Sequence, residues 1–246
     1  MTGLPALLAL LGTWPGSPGV APPAPAAAQL RLPATPIRRV ETDHPAVALT
    51  FDACATRTHT SSFDRAVYQV LKQEGVPATI FVSGRWVEVH AAEMTELAAD
   101  PLIAFGDHSF DHPHMQRLPP LRMAQQIDQT EAVLARYGKK SVAFRPPFGE
   151  WNRRMVQVAK GRGLPTVTWD VVSGDPSAHT TAPRLVSNVL KRARPGSIVI
   201  FHINGRGRKT AEALPEILRA LRERGLRFVF LSDLLAGPVA HASANP

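Results

Sequence analysis

AVALTFDACAT, Ala46 to Thr56, is the stretch on which the fold turns. Its first six residues are apolar or β-branched with no charge among them, the composition of a strand buried on both faces. The run then ends on one carboxylate, Asp52, followed by Ala53 and Cys54, the only cysteine in the chain. A buried strand that delivers a lone acid at its C-terminal end poses a chemical question as well as a structural one.

Reading outward, helix and strand patterns alternate. DRAVYQVLKQEG (Asp64 to Gly75) has helical spacing between an Asp and a Gly, and ATIFV (Ala78 to Val82) is a second strand. Helices are expected near 90–99, 120–137, 152–161, 182–192 and 211–225. Strands are expected at 102–105, 142–144, 166–172, 197–202 and 227–231. This order predicts an α/β fold, a parallel sheet wrapped by helices and either open or closed into a barrel. In both forms function collects at the C-terminal strand ends. Those ends carry Asp52, GDHSFDH (106–112), RPPFGE (145–150), SGDP (173–176) and His202.

The chemistry of these groups forms a set. His108 and His112 stand four residues apart, so on a helical turn they would share one face and grip one cation. His114, after Pro113, reads as a solvated loop residue. Asp52 suits a metal ligand, a general base or a turn cap, and Arg145 would hold such a carboxylate ionised. Pro146 and Pro147 stiffen the loop so that a backbone N–H near Phe148 can serve an oxyanion. His202 is a candidate general acid, paired with Asp175.

Composition bounds the rest. With 246 residues, 44% hydrophobic and 20% charged, the chain can bury one sizeable core. A single cysteine excludes an intrachain disulfide framework. The net charge of +8 comes from arginines scattered along helices, and no nucleic-acid-binding signature accompanies it. LPALLALLG (4–12) and APAAAQ (24–29) resemble an export leader, although no Lys or Arg precedes the apolar run. Residues 1–40 are therefore expected to be leader and a Pro/Ala-rich disordered tail, and 41–246 the folded domain.

The ordered motifs TFDAC, HSFDH, RPPFG, WDVVSGDP and IVIFH resemble those of the polysaccharide deacetylases of the NodB homology type, carbohydrate esterase family four, over residues 45–235. The resemblance implies a distorted (β/α) barrel and metal-dependent removal of an N- or O-acetyl group from a glycan. It implies that Asp52 is the base, that Arg145 tethers it, and that His202 is the acid tuned by Asp175. It further implies His108 and His112 as ligands of a divalent metal, zinc first among them. Pro147, Phe148 and Trp151 would serve the oxyanion and the substrate. An exported monomer acting on a polysaccharide, with no nucleic-acid partner and no membrane span, is the expectation.

The pattern breaks at one place. The family places a second aspartate, a metal ligand, where this chain has Ala53. Asp64 is the first candidate to replace it and Cys54 the second, since carboxylate and thiolate both bind zinc. Two smaller departures are Phe148 in place of tyrosine and Pro176 in place of tryptophan, leaving Trp151 and Trp169 to wall the groove. Arg206 and Arg208, just after His202, suit an anionic or phosphate-bearing substrate. A metal-free amide or imide hydrolase and an inactive glycan-binding module stay open as alternatives.

Overall fold

A computed structural model describes Met1 and residues 32–59 and 61–237. The leader motifs at 4–12 and 24–29 lie outside the described residues. Five strands form one parallel array in the order β3-β2-β1-β5-β4: β1 (Ala46–Ala53), β2 (Ala78–Val82), β3 (Ile103–Asp107), β4 (Val171–Val172) and β5 (Ile198–His202). A sixth, β6 (Arg227–Phe228), pairs with the start of β1. Isolated parallel bridges Asp107–Phe144 and Phe144–Thr166 join the β3 edge to the segment that leads into β4. The ring closes through single residues there, which makes the barrel distorted.

Side-chain alternation along β1 sorts the core into layers. Val47, Leu49, Phe51 and Ala53 belong to the cluster shared with the outer helices, including Trp86 and Leu214. Ala46 and Ala48 belong to a second cluster with Phe81, Ile198 and Val167, which fills the barrel interior. The interior needs a gap in β3, because a Cβ on Gly106 would stand 2.3 Å from the Phe81 ring. The last expected strand, 227–231, is cut short after Phe228. Leu231, Leu234 and Leu235, at helical spacing, instead form a helix (Leu231–Ala236) that packs into the interior cluster.

The outer layer comprises α1 (Arg65–Gln73), α2 (Gly84–Val89), α3 (Ala91–Ala99), α4 (Pro120–Ala135), α5 (Arg153–Lys160), α6 (Ala182–Leu190) and α7 (Thr210–Glu223), with the short interior helix as α8. The sequence pattern passed over α2, whose N-cap is Ser83, its hydroxyl accepting from the Trp86 N–H. The expected strand at 142–144 survives only as the Phe144 bridges, and 166–172 only as Thr166, Val167 and β4. Proline at 146 and 147 ends the first, and the second leaves the ladder where Asp170 turns back to accept from Ser197 and Ile198.

Ile37 and Val40 are buried, and the Val40 N–H donates to the Gly196 carbonyl, so packing begins ahead of residue 41. Gly196 has φ +81°, and a Cβ there would lie 1.7 Å from the Val40 carbonyl oxygen. Backbone cannot yield as a side chain can. Gly196→Ala is expected to cost about 2–3 kcal/mol in urea unfolding, from left-handed strain and overpacking together.

Candidate active site

The strand ends converge as the sequence implied. Asp52 and His202 are register partners on β1 and β5, both at the C-terminal edge. Val82 on β2 pairs with Asp107, which carries the chain into His108. A cavity of about 220 Å³ opens on this edge, lined by Asp52, His108, His112, Phe148, Asp175 and His202 among others.

Arg145 organises the floor. It is wholly buried, places its guanidinium carbon 3.9 Å from the centre of the Phe81 ring, and donates from Nη1 to Asp52 Oδ1 at 2.7 Å. Nη2 donates to Thr50 Oγ1 at 2.8 Å, and that hydroxyl donates on to the Val199 carbonyl. Burial alone would raise the Asp52 carboxyl. The Arg145 guanidinium instead holds it below the ordinary carboxylate value, by its charge and its hydrogen bond.

The imidazoles are held neutral. His108 Nδ1 lies 2.8 Å from the Arg145 carbonyl, which only accepts, so Nδ1 carries the proton. Its Nε2 lone pair then faces Asp52 Oδ2 at 3.5 Å. Burial lowers His108, and burial together with His108 pushes His112 down to about 3. The two rings meet edge to face at 4.8 Å.

Across the cavity, Asp175 fixes His202. Oδ1 accepts from His202 Nδ1 at 2.9 Å and from Ser173, while Oδ2 accepts from the His202 backbone N–H at 2.7 Å and from Thr210. With Nδ1 committed, Nε2 is the nitrogen left to exchange a proton in the cavity. Ser173 lies within SGDP and Thr50 within TFDAC, whereas Thr210 carries no signal, because only the closed barrel brings it here.

The remaining expected residues divide. Phe148 lines the cavity in a left-handed conformation, φ 62°, stacked on His114 at 4.4 Å, and Pro147 is buried beneath it. His114 is an exposed loop residue, as expected, and its Nδ1 also meets Glu150 Oε2 at 2.8 Å. Trp169 lines the cavity, whereas Trp151 is exposed and does not line it.

Neither substitute for the missing aspartate stands ready. Asp64 does not line the cavity, and its Oδ2 is taken by the Gly205 N–H at 2.9 Å. Burial, and then the charge of Asp52, push the Cys54 thiol up to about 12, and its sulfur accepts from Asn204 at 3.2 Å. Ala53 is fully buried and turned to the helix-side core. Among the described residues, no group of three or more His, Cys, Asp or Glu side chains is placed to hold a metal ion. Two neutral imidazoles are half of a zinc donor set, and the donors present do not fit a closed metal centre.

Comparison with known proteins follows the same lines. The polysaccharide deacetylase family model matches residues 39–167. The peptidoglycan-N-acetylglucosamine deacetylase of Bacillus cereus is 30% identical over 192 residues, 77% of this chain and 87% of that one. The chain belongs to the polysaccharide deacetylase family. Its members are hydrolases of carbon–nitrogen amide bonds, and they are generally metal-dependent. It also spans 51% of the length of the uncharacterized protein YlxY of Bacillus subtilis, at 27% identity. Among solved structures, BA3943 of Bacillus anthracis, described as a pseudoenzyme of carbohydrate esterase family 4, superposes with a TM-score of 0.75 at 26% identity, covering 86% of this chain and 72% of that one. A mutant of BA3943 has restored enzymatic activity.

Two stability predictions follow from the charges. Arg145→Met leaves Asp52 buried and unpaired, and should cost about 3–5 kcal/mol at pH 7. The penalty shrinks at pH 4, where the freed carboxyl takes up a proton. His112 titrates near 6.5 when unfolded and near 3 when folded, so the unfolded chain binds the extra proton between those values. Stability then falls as pH drops through that window, by up to about 3 kcal/mol at pH 4. In urea titrations with a chelator present, His112→Gln should flatten that slope; an unchanged slope would remove His112 as its source.

Proposed function

We propose that this chain hydrolyses the N-acetyl amide of a glycan, peptidoglycan or a related N-acetylated polysaccharide. The observation that carries the reading is one cavity bounded by an ionised Asp52 and, on the next strand, a His202 oriented by Asp175. Asp52 would take a proton from the attacking water. His202 Nε2 would hand a proton to the leaving nitrogen, converting it to an amine. The Phe148 backbone, at the cavity lip, is the candidate to receive the carbonyl oxygen as charge builds on it. Arg145 keeps the base charged and aimed, and the neutral His108 and His112 would hold the water through their lone pairs.

A resident zinc ion belongs to the expectation from the family, and zinc is the divalent ion that two imidazoles would favour. The missing third donor argues for a weak, exchangeable ion at most, and no step above is routed through it. Relatives that act on peptidoglycan support an exported site of action. Among the described residues, no helix is long and apolar enough to cross a membrane.

Ala53 favours a second reading, glycan recognition without turnover, in line with the pseudoenzyme among the structural neighbours. Acetate release from N-acetylated oligosaccharides, with and without added zinc, separates the two. Turnover that falls by about 10²- to 10⁴-fold in both Asp52→Asn and His202→Ala supports the hydrolase. Bound oligosaccharide with no acetate released in any condition assigns the second reading, and ordinary turnover by Asp52→Asn removes Asp52 as the base.

A further inference from the structure

Arg206 follows the β5 end by four residues and has no role in the proton transfers. It lines the 220 Å³ cavity and also an adjoining one of about 390 Å³, which shares Cys54, His112 and Phe148 with the first. That second space runs on, through Thr56 and His112, into a third of about 530 Å³ that Arg57 and Arg122 line. The three spaces adjoin through these shared residues, and we treat them as one groove.

The charges in this groove do not cancel. Each carboxylate that lines it is already engaged within the protein: Asp52 by Arg145, Asp175 by hydrogen bonds from His202, Ser173 and Thr210, and Asp111 by Arg85. Among the described residues, no acidic side chain pairs with Arg206, Arg57 or Arg122, all three of them exposed. A guanidinium without an acid, lining the same cavity as an exposed aromatic ring, is poised for a planar monoanion on the sugar next to the one that reacts.

We infer that the groove selects a glycan carrying carboxylate substituents, with Arg206 as the residue that reads the carboxylate nearest the scissile amide. One fork of donors matches one carboxylate; a dianionic phosphate would call for a second guanidinium close by. Arg57 and Arg122 extend the same preference along the chain of sugars. The inference rests on the glycan reading given above and adds to it the charge of the substrate.

The test is equilibrium binding in an Asp52→Asn background, where turnover is stopped. Its probes are an N-acetylglucosamine tetramer and a tetramer of equal length with carboxylate ethers on alternate sugars. The carboxylated tetramer should bind about tenfold tighter at low ionic strength, with the gap closing as salt rises. Arg206→Gln should bring the ratio of the two affinities near one. Arg208→Gln, whose side chain does not line the cavity, should retain it. Equal affinities for the two tetramers, or a ratio that survives Arg206→Gln, overturn the inference and leave the glycan reading standing. Binding of neither tetramer overturns both.

Discussion

A guanidinium with no exposure to solvent is the constraint around which this barrel is built. An isolated buried cation is unaffordable in a low-dielectric interior, so Arg145 must be answered by charge and by hydrogen bonds at once. Asp52 supplies the charge, Thr50 a hydroxyl and Phe81 a π face. Those partners come from β1 and β2, while Arg145 enters from the segment that closes the ring through Phe144. The ion pair therefore ties the regular side of the barrel to its irregular side. It also sets the chemistry, since the same contact keeps a buried carboxyl charged. Phe81 explains Gly106 in turn: the ring that supports the guanidinium occupies the space where a β3 side chain would stand.

Much of this was legible in the sequence because strand ends are local. Asp52, His108, Arg145, Asp175 and His202 each terminate or follow an apolar run, and parallel strands bring such ends to one edge whatever lies between. What escaped was set by tertiary closure. Thr210 reaches Asp175 from the start of α7, 35 residues away, and nothing in its own neighbourhood marks it. Strand extents failed at 142–144 and 166–172, where an apolar run supplies the composition but a pair of prolines and a turned-back Asp170 take the ladder away. The end of the 227–231 run carries a helical signal of its own. Leu231, Leu234 and Leu235 are spaced for a helix, and a β-rich stretch just before them masked it.

Asp64 illustrates a different limit. Carboxylate chemistry alone qualified it as a substitute ligand, and its sequence distance from β1 did not forbid the role. The loop after β5 decides otherwise. Gly205 presents its N–H to Asp64 Oδ2, and the Asp64 N–H bonds the Ile203 carbonyl, so the residue stitches the β5 exit to the start of α1. Ligand inventories drawn from residue type cannot see such a prior engagement.

Alternation along β1 gives the alanine at position 53 its physical meaning. Asp52 points into the barrel, so a regular strand must turn residue 53 outward, into the cluster it shares with Val67, Tyr68 and Trp86. The ladder is in fact unbroken there: Ala53 pairs with Val82, and its carbonyl accepts from the Ser83 N–H. A carboxylate at 53 would reach the imidazoles only if the strand end twisted out of that register; left in place it would be an unpaired charge among apolar side chains. Alanine lets β1 run straight through the position and gives the helix layer one more apolar contact. The same straight run sets Asp52 Oδ2 3.5 Å from His108 Nε2, on the interior side of the strand end.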